Sequence, residues 1–176
     1  MKKLLCLLLV VLTMGAMYYF SSQEGDVSKH QSDTAVNVID KMRSEITLKD
    51  HKIISVKEKV FNKLKQYGDK GYIVRKMAHF SIYACIGVSI SLLVYVLSKR
   101  IYIASVLAMI ASISYAYYDE MRQLTVDGRV GSMKDVLIDA SGAFTGILIL
   151  FVIVIVFKGI RGFFNFIFRR KSKEAM

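Results

Sequence analysis

Acidic, basic and imidazole side chains gather in three short stretches of a 176-residue chain that is 54% hydrophobic. The stretches read RKMAHF at residues 75–80, DEMRQ at 119–123 and DGRVGSMKD at 127–135. Guanidinium and ammonium groups bind phosphates and carboxylates, and an imidazole beside a carboxylate can transfer protons. If the three stretches meet in space, they form one site for an anionic or polar ligand.

The first stretch contains the only imidazole of the three. Arg75, His79 and Tyr83 are spaced by four residues, so they would line one face of a helix. His79 would then lie about one turn inside an apolar segment, where polar groups are unfavourable and usually face a partner or a cavity. Two interpretations stay open: contact with a ligand, or a structural hydrogen bond to a neighbouring helix.

Two adjacent carboxylates open the second stretch. Asp119 and Glu120 precede Gln123 by four and three residues, so both would neighbour this amide if the helix continues. The two acids can share a proton, bind a cation or form ion pairs. The cations available for pairing are Arg75, Lys76 and Arg129.

Glycine and aspartate mark the third stretch. Gly128 and Gly131 flank Arg129, which predicts a tight loop around that guanidinium. Asp135 and Asp139 are four residues apart at the start of the next apolar block. Asp139 would lie inside that block, where an acid is least favourable.

Four apolar blocks must position these side chains. Each approaches or exceeds the roughly 20 residues with which a helix crosses a bilayer, and the chain contains no Pro. In lipid the backbone polar groups of such blocks are satisfied within helices. The sequence therefore predicts an all-α integral membrane bundle of four transmembrane helices with a helical extracytoplasmic loop between the first and second spans. The predicted spans are residues 4–20, 77–97, 101–118 and 136–157.

The basic residues indicate the topology. The formal net charge is +11. With four spans, three short basic segments must lie on one side of the membrane: residues 2–3, residues 99–100 and the residues after 157. Short basic segments are typical of the cytoplasmic side, so the charge does not indicate a nucleic-acid partner. We predict a multi-pass membrane protein with both termini cytoplasmic, which places the three polar stretches outside.

This topology divides the chain into four regions. They are an N-terminal transmembrane anchor (1–20), an extracytoplasmic helical loop (21–72), a transmembrane core (73–157) and a basic cytoplasmic tail (158–176). The first block lacks a clear small-x-small cleavage site and is expected to remain as an anchor. Cys6 and Cys85 lie within spans, so no disulfide is expected.

Two helices are predicted in the long loop. Ala35, Ile39 and Met42 have helical spacing, and Ser55 with Glu58 forms a capping-box pattern that starts a second helix. The apolar stripe of the second helix would pack on the rest of the protein or lie on an anionic outer leaflet. That stripe consists of Val56, Val60, Leu64 and Tyr67.

Gly142 and Gly146 form a GxxxG pattern in the fourth span. This spacing lets another helix approach closely, so we predict that the two glycines serve helix packing. The neighbouring helix can belong to this chain, to a second copy or to another membrane protein.

Combined, the outer ends of the second, third and fourth spans predict one ligand-binding site. Three of its members are also candidates for acid–base catalysis: His79, Asp119 and Glu120. With one histidine available, neither a metal site nor a cofactor is expected. The predicted site consists of Arg75, Lys76, His79, Asp119, Glu120, Gln123, Arg129, Asp135 and Asp139.

The segments RKMAHFSIYACIG and DEMRQLTVDGRVGSMKDVLIDASGAFTG resemble the VanZ-like family of small bacterial membrane proteins, as does YYFSSQ at the end of the first span. The chain differs from the family pattern in having Asp127 where Pro is usual and Asp139 where Asn is frequent. The resemblance spans most of the chain. The matching positions are Lys76, His79, Asp119, Glu120, Gln123, Gly128, Arg129, Gly131, Asp135, Gly142 and Gly146.

The resemblance implies a role in the bacterial cell envelope, with glycopeptide resistance of the teicoplanin type as the association of the family name, and it supplies no reaction. Three functions stay open. The first is binding of a lipid-linked wall precursor, a phospholipid headgroup or a glycopeptide at the outer site. The second is a membrane-embedded enzyme that uses His79 and carboxylates, and the third is a helix-packing partner of another membrane protein. The lipid bilayer is a partner in each case, and a homo-oligomer is compatible with all three.

Overall fold

Helices account for all regular structure in residues 1–45 and 69–174, which are the residues that the computed structural model describes. Each of these five helices follows from an uninterrupted run without Pro. In chain order they are α1 (Lys2–Ser21), α2 (Gly25–Glu45), α3 (Lys70–Ser98), α4 (Ile101–Gln123) and α5 (Met133–Glu174).

Four of these helices are long and apolar enough to cross a membrane: α1, α3, α4 and the part of α5 over Met133–Asn165. This confirms the predicted all-α bundle with four spans. The helices extend beyond the predicted spans at the polar stretches. Thus α4 reaches Gln123, and its 23 residues are roughly 34 Å long, enough to cross the hydrocarbon core of about 30 Å.

Successive spans run antiparallel, so the polar stretches lie together. The last turns of α1 and α4, the first turns of α3 and α5, and the connecting residues 124–132 form what we call the charged end of the bundle. Helix α3 starts before the predicted span because Asp69 caps it: its carboxylate accepts a hydrogen bond from the backbone N–H of Lys70 at 2.8 Å.

Helix α2 packs against the start of α3. The Nζ of Lys70 forms an ion pair with Asp40 at 2.8 Å, and Gly71 lies against Asp33 and Ser32. The positions at predicted helical spacing belong to α2, but Ile39 and Met42 are exposed. Its buried residues are instead Ser28 and Ser32, which are small enough for close approach to α3.

The interface of α3 and α5 is the tightest in the bundle. A Cβ atom on Gly142 would meet the backbone of Phe80, and one on Gly146 would meet the backbone of Ala84. Gly87 of α3 is in the same position relative to Ala143 of α5. The GxxxG surface therefore packs on α3 of the same chain.

Three further predictions concern the tail, the long loop and the two cysteines. The predicted tail from residue 158 onward continues α5 as far as Glu174, and the Nζ of Lys158 lies 5.2 Å from the ring centroid of Tyr95. The second loop helix, predicted to begin at Ser55, lies outside the described residues. Cys6 and Cys85 are free thiols.

Candidate functional site at the charged end of the bundle

The loop between α4 and α5 presents Arg129. Gly128 has φ +71°, a left-handed conformation that glycine adopts without strain. A Cβ on Gly131 would meet the backbone oxygen of Glu120 and the side chain of Leu124. The two glycines therefore permit the tight loop that the sequence predicts.

The guanidinium of Arg129 is held by neutral acceptors. Its Nε donates to the carbonyl of Gln23 at 3.1 Å, and one terminal nitrogen donates to the carbonyl of Phe20 at 3.1 Å. The other terminal nitrogen is 3.4 Å from Oε1 of Gln123. These bonds use three of the five N–H donors of an arginine, so two remain for a ligand.

Arg129 shares a cavity of about 210 Å³ with Arg75, Lys76 and Asp135, which we call the cationic pocket. Lys76 forms an ion pair with Asp135 at 2.5 Å. Within the described part of the chain, no carboxylate forms an ion pair with Arg75 or Arg129. Three cations and one acid leave two positive charges in excess when the imidazole of His79 is neutral.

The two guanidiniums repel each other across the pocket. Burial lowers the pKa of Arg129, and the nearby charge of Arg75 lowers it further, whereas Asp119 and Glu120 act in the opposite direction. A guanidinium nevertheless remains protonated in proteins. An anion between Arg75 and Arg129 would relieve their repulsion.

An aromatic ring lies beside the two cations at the start of α3. The Nζ of Lys76 is 5.1 Å from the ring centroid of Tyr72, and the guanidinium carbon of Arg75 is 6.0 Å away. Both distances are within cation–π range. Tyr72 was not among the predicted site residues, although its spacing of three and four residues from the two cations could have indicated it.

The imidazole of His79 lines the pocket, and a buried acid lies beneath it. Nδ1 of His79 is 3.6 Å from Oδ1 of Asp139, which is longer than a hydrogen bond. Asp139 is 1% exposed. Neither of its carboxylate oxygens has a hydrogen-bond partner among the described residues, and the same holds for the hydroxyl of Tyr83. Buried polar atoms are rarely left without a partner, so an ordered water, an ion or a ligand group is expected beside these oxygens.

Asp119 connects α4 with α1 instead of lining the pocket. One carboxylate oxygen accepts a hydrogen bond from Oγ of Ser21 at 2.5 Å and another from Nε2 of Gln123 at 3.1 Å. The other oxygen pairs with Arg122 at 3.1 Å. The predicted ion-pair partners of the two acids were Arg75, Lys76 or Arg129, whereas Asp119 contacts Ser21 and Arg122, which were not among the predicted site residues.

Glu120 fixes the start of α5. Its Oε2 accepts a hydrogen bond from the backbone N–H of Ser132 at 2.9 Å, while Oε1 has no partner among the described residues. The residue is buried. Glu120 thus holds the loop that carries Arg129 against α4.

The structure therefore divides the predicted site residues into two layers. The outer layer lines the cationic pocket, and the inner layer is buried beneath it. Within the described part of the chain, no three His, Cys, Asp or Glu side chains could hold a metal ion together. The outer layer contains Arg75, Lys76, His79, Gln123, Arg129 and Asp135, and the inner layer contains Asp119, Glu120 and Asp139.

Comparison with known proteins gives one match. The family model described as VanZ/LLP1 covers residues 5–156, which include the four spans almost completely and all the predicted site residues. Neither the curated proteins nor the solved structures contain a significant match to the chain.

Proposed function

Since the chain belongs to the VanZ/LLP1 family, we propose that it is a bacterial envelope protein whose charged end binds an anionic group. The observation that carries this proposal is the excess of positive charge in the cationic pocket, where Arg75 and Arg129 have no carboxylate partner among the described residues. Arginine at such a position favours phosphate or carboxylate, because its planar fork matches their geometry.

The ligand class follows from where the pocket lies. The pocket is located at the ends of membrane-spanning helices, so its natural ligands are polar groups held near the bilayer surface. A lipid-linked wall precursor, a phospholipid headgroup and a glycopeptide each carry a phosphate or carboxylate. Binding of such a group would contribute to glycopeptide resistance or to wall homeostasis.

We further propose that both termini are cytoplasmic and that the charged end faces outward in the plasma membrane. The basic residues at 2–3, 99–100 and beyond 157 support this orientation through the positive-inside rule. A cysteine introduced at Met121, an exposed neighbour of Glu120, is expected to react with a membrane-impermeant maleimide in intact cells. The labelling is carried out in a chain with Cys6 and Cys85 replaced, and labelling only after lysis would reverse the orientation.

The binding proposal predicts the behaviour of two arginine variants. We expect Arg75→Ala and Arg129→Ala each to weaken binding of glycerol phosphate to the purified protein at least tenfold, because a hydrogen bond to a charged group contributes about 1.5–3 kcal/mol. Isothermal titration calorimetry in detergent measures the change. Arg129→Ala also removes the bonds to Phe20 and Gln23, whereas Arg75 makes no hydrogen bond within the described residues, so Arg75→Ala is the cleaner variant.

Arg100→Ala is the matched control, because this exposed arginine lies at the opposite end of the bundle. Its affinity for glycerol phosphate should equal that of the wild type. In a glycopeptide-sensitive host, Arg129→Ala and Glu120→Gln are expected to abolish any resistance that the wild type confers, at equal protein level. Unchanged affinity in both pocket variants would remove the pocket from the function.

A second candidate function is catalysis, and the contact of His79 with Asp139 favours it. A buried imidazole beside a carboxylate is a suitable general base, and His79 reaches the cationic pocket directly. Mass spectrometry of envelope lipids and wall precursors, from cells with and without the gene, separates the two functions. A product that the wild type generates and His79→Ala does not would indicate an enzyme.

A further inference from the structure

A second cavity adjoins the cationic pocket. It has a volume of about 220 Å³ and lies between one face of α2 and one face of α3. Arg75 and His79 line both cavities, so the two share a wall. We call the second cavity the lateral groove.

The lining of the lateral groove changes from polar to apolar. Beside Arg75 and His79 it includes small polar residues of α2, such as Ser28 and Ser32, and the remainder is mainly hydrocarbon. Ile82 belongs to the apolar part of α3, a helix that is long and apolar enough to cross a membrane, whereas Phe20 belongs to the last turn of α1 at the charged end. The apolar lining consists of Phe20, Ala35, Val74, Ala78 and Ile82.

The sizes of the two cavities suggest how they act together. Ligand pockets usually begin at roughly 300 Å³, and neither cavity reaches that size alone, whereas the two joined exceed it. An apolar cavity of roughly 150 Å³ is enough to hold a benzene-sized molecule, so the lateral groove can accept a segment of hydrocarbon chain.

We infer that the ligand of the charged end is an amphiphile, a lipid whose anionic headgroup enters the cationic pocket while one hydrocarbon chain occupies the lateral groove. This inference rests on the proposed function and names its ligand class. A soluble anion would use Arg75 and Arg129 but not the groove. A lipid uses both, because its charged headgroup and its hydrocarbon chain are covalently joined and the two cavities are adjacent.

The arrangement also explains how such a ligand enters. A lipid in the adjacent leaflet keeps its chains in hydrocarbon, and the lining of the groove continues from Arg75 and His79 to Ile82 in the apolar part of α3. The headgroup then moves sideways past Arg75 without the chain crossing water. Selection among lipids comes from charge, because hydrocarbon contacts are equally available in the bilayer.

Photo-crosslinking tests this inference. The full-length protein, carrying a photoreactive amino acid at Ala35, is reconstituted in nanodiscs of phosphatidylcholine with a minor share of phosphatidylglycerol. We expect the adducts at position 35 to be enriched roughly tenfold in phosphatidylglycerol, which equals about 1.4 kcal/mol of selection. Ala111 is the control position, since it is exposed on a span outside the groove, and its adducts should reflect the bulk composition.

Two variants separate the inference from the proposed function. Arg75→Ala should abolish the enrichment at position 35 while lipid adducts persist there. Ala78→Phe, which fills the groove, should remove the adducts at position 35 and leave glycerol phosphate affinity unchanged; Ala111→Phe should change neither. Placing the probe at Ala78 itself provides a second position, in case a probe at Ala35 blocks the groove.

The contrary outcomes are distinct. The lipid would be excluded as the occupant of the groove if the adducts at both groove positions matched the bulk lipid composition. It would also be excluded if position 35 crosslinked to residues 46–68 or to a second copy of the chain. Glycerol phosphate binding that still depends on Arg75 would then leave the proposed function intact. Loss of that dependence would refute the proposed function itself.

Discussion

Gly146→Leu is expected to lower the free energy of unfolding by about 3 kcal/mol or more, the upper end of what overpacking costs. A Cβ at this position meets the backbone of Ala84 in α3, and backbone cannot move aside as a flexible side chain can. In lipid, helices associate through close packing, with no hydrophobic drive between them. Separating α3 from α5 therefore removes the principal contact that holds the bundle together.

Gly159→Leu is the matched control for this prediction. Gly159 lies on the same helix, and a Cβ there meets nothing within 4 Å. Because Leu is a better helix former than Gly, which is roughly 0.8–1.0 kcal/mol less favourable than Ala in a helix interior, this variant should be as stable as the wild type or slightly more stable. Chemical unfolding in detergent, followed by circular dichroism, measures both variants. Equal losses at positions 146 and 159 would show that α5 is generally intolerant of bulk.

The same geometry affects the third function considered for this protein, a packing partner for another membrane protein. Gly142 and Gly146 already contact α3 of the same chain, so a partner helix would have to displace α3. Loss of co-purification in a Gly142→Leu variant would then report misfolding as readily as loss of a partner. Exposed positions on the spans are better suited to test for an intermolecular interface.

The architecture was predictable because its signal is long and repeated. Four apolar blocks exceed what a soluble core needs, and antiparallel neighbours necessarily bring the ends of consecutive spans together. This connectivity alone predicts that residues 75–80, 119–123 and 127–135 meet at one end, as they do in the structure. The tight loop around Arg129 was also predictable, because Gly128 supplies the positive φ that the turn requires.

The partners of individual carboxylates were not predictable. Asp119 and Glu120 are adjacent in sequence, but successive residues of a helix point about 100° apart. Asp119 therefore faces α1 and bonds Ser21, whereas Glu120 faces the start of α5 and bonds the backbone of Ser132. Which residue faces which neighbour depends on the rotation of α4 about its own axis, and no local pattern fixes that rotation.

Helix α1 shows a related limit of sequence reasoning. Its apolar surface packs along α3, but polar groups make its connections to α4. The hydroxyl of Tyr115 donates to the carbonyl of Met14 at 2.8 Å, and Arg122 donates to Ser22 and to the carbonyl of Tyr18. Serines directly after an apolar block usually mark its end, so their role as partners of α4 leaves little trace in the sequence.

The second large effect is expected for Asp119→Ala, which should destabilise the protein by about 3–5 kcal/mol, the range for breaking a buried ion pair. Asp119 is 1% exposed, and its removal leaves Ser21, Gln123 and Arg122 without their common acceptor. The guanidinium of Arg122 would keep its contact with the ring of Tyr18 at 4.1 Å but lose its counter-charge. The free energy of unfolding in detergent, measured as for the glycine variants, checks this expectation.

Two comparisons make the Asp119 prediction specific. Asp127→Ala removes an exposed carboxylate near the same end and should change stability by no more than about 0.5 kcal/mol. The double variant Asp119→Ala with Arg122→Ala should lose less than the sum of the single losses, because no unpaired charge then remains between α1 and α4. Strict additivity would mean that Asp119 and Arg122 act independently, Asp119 through Ser21 and Arg122 through Ser22 and the carbonyl of Tyr18.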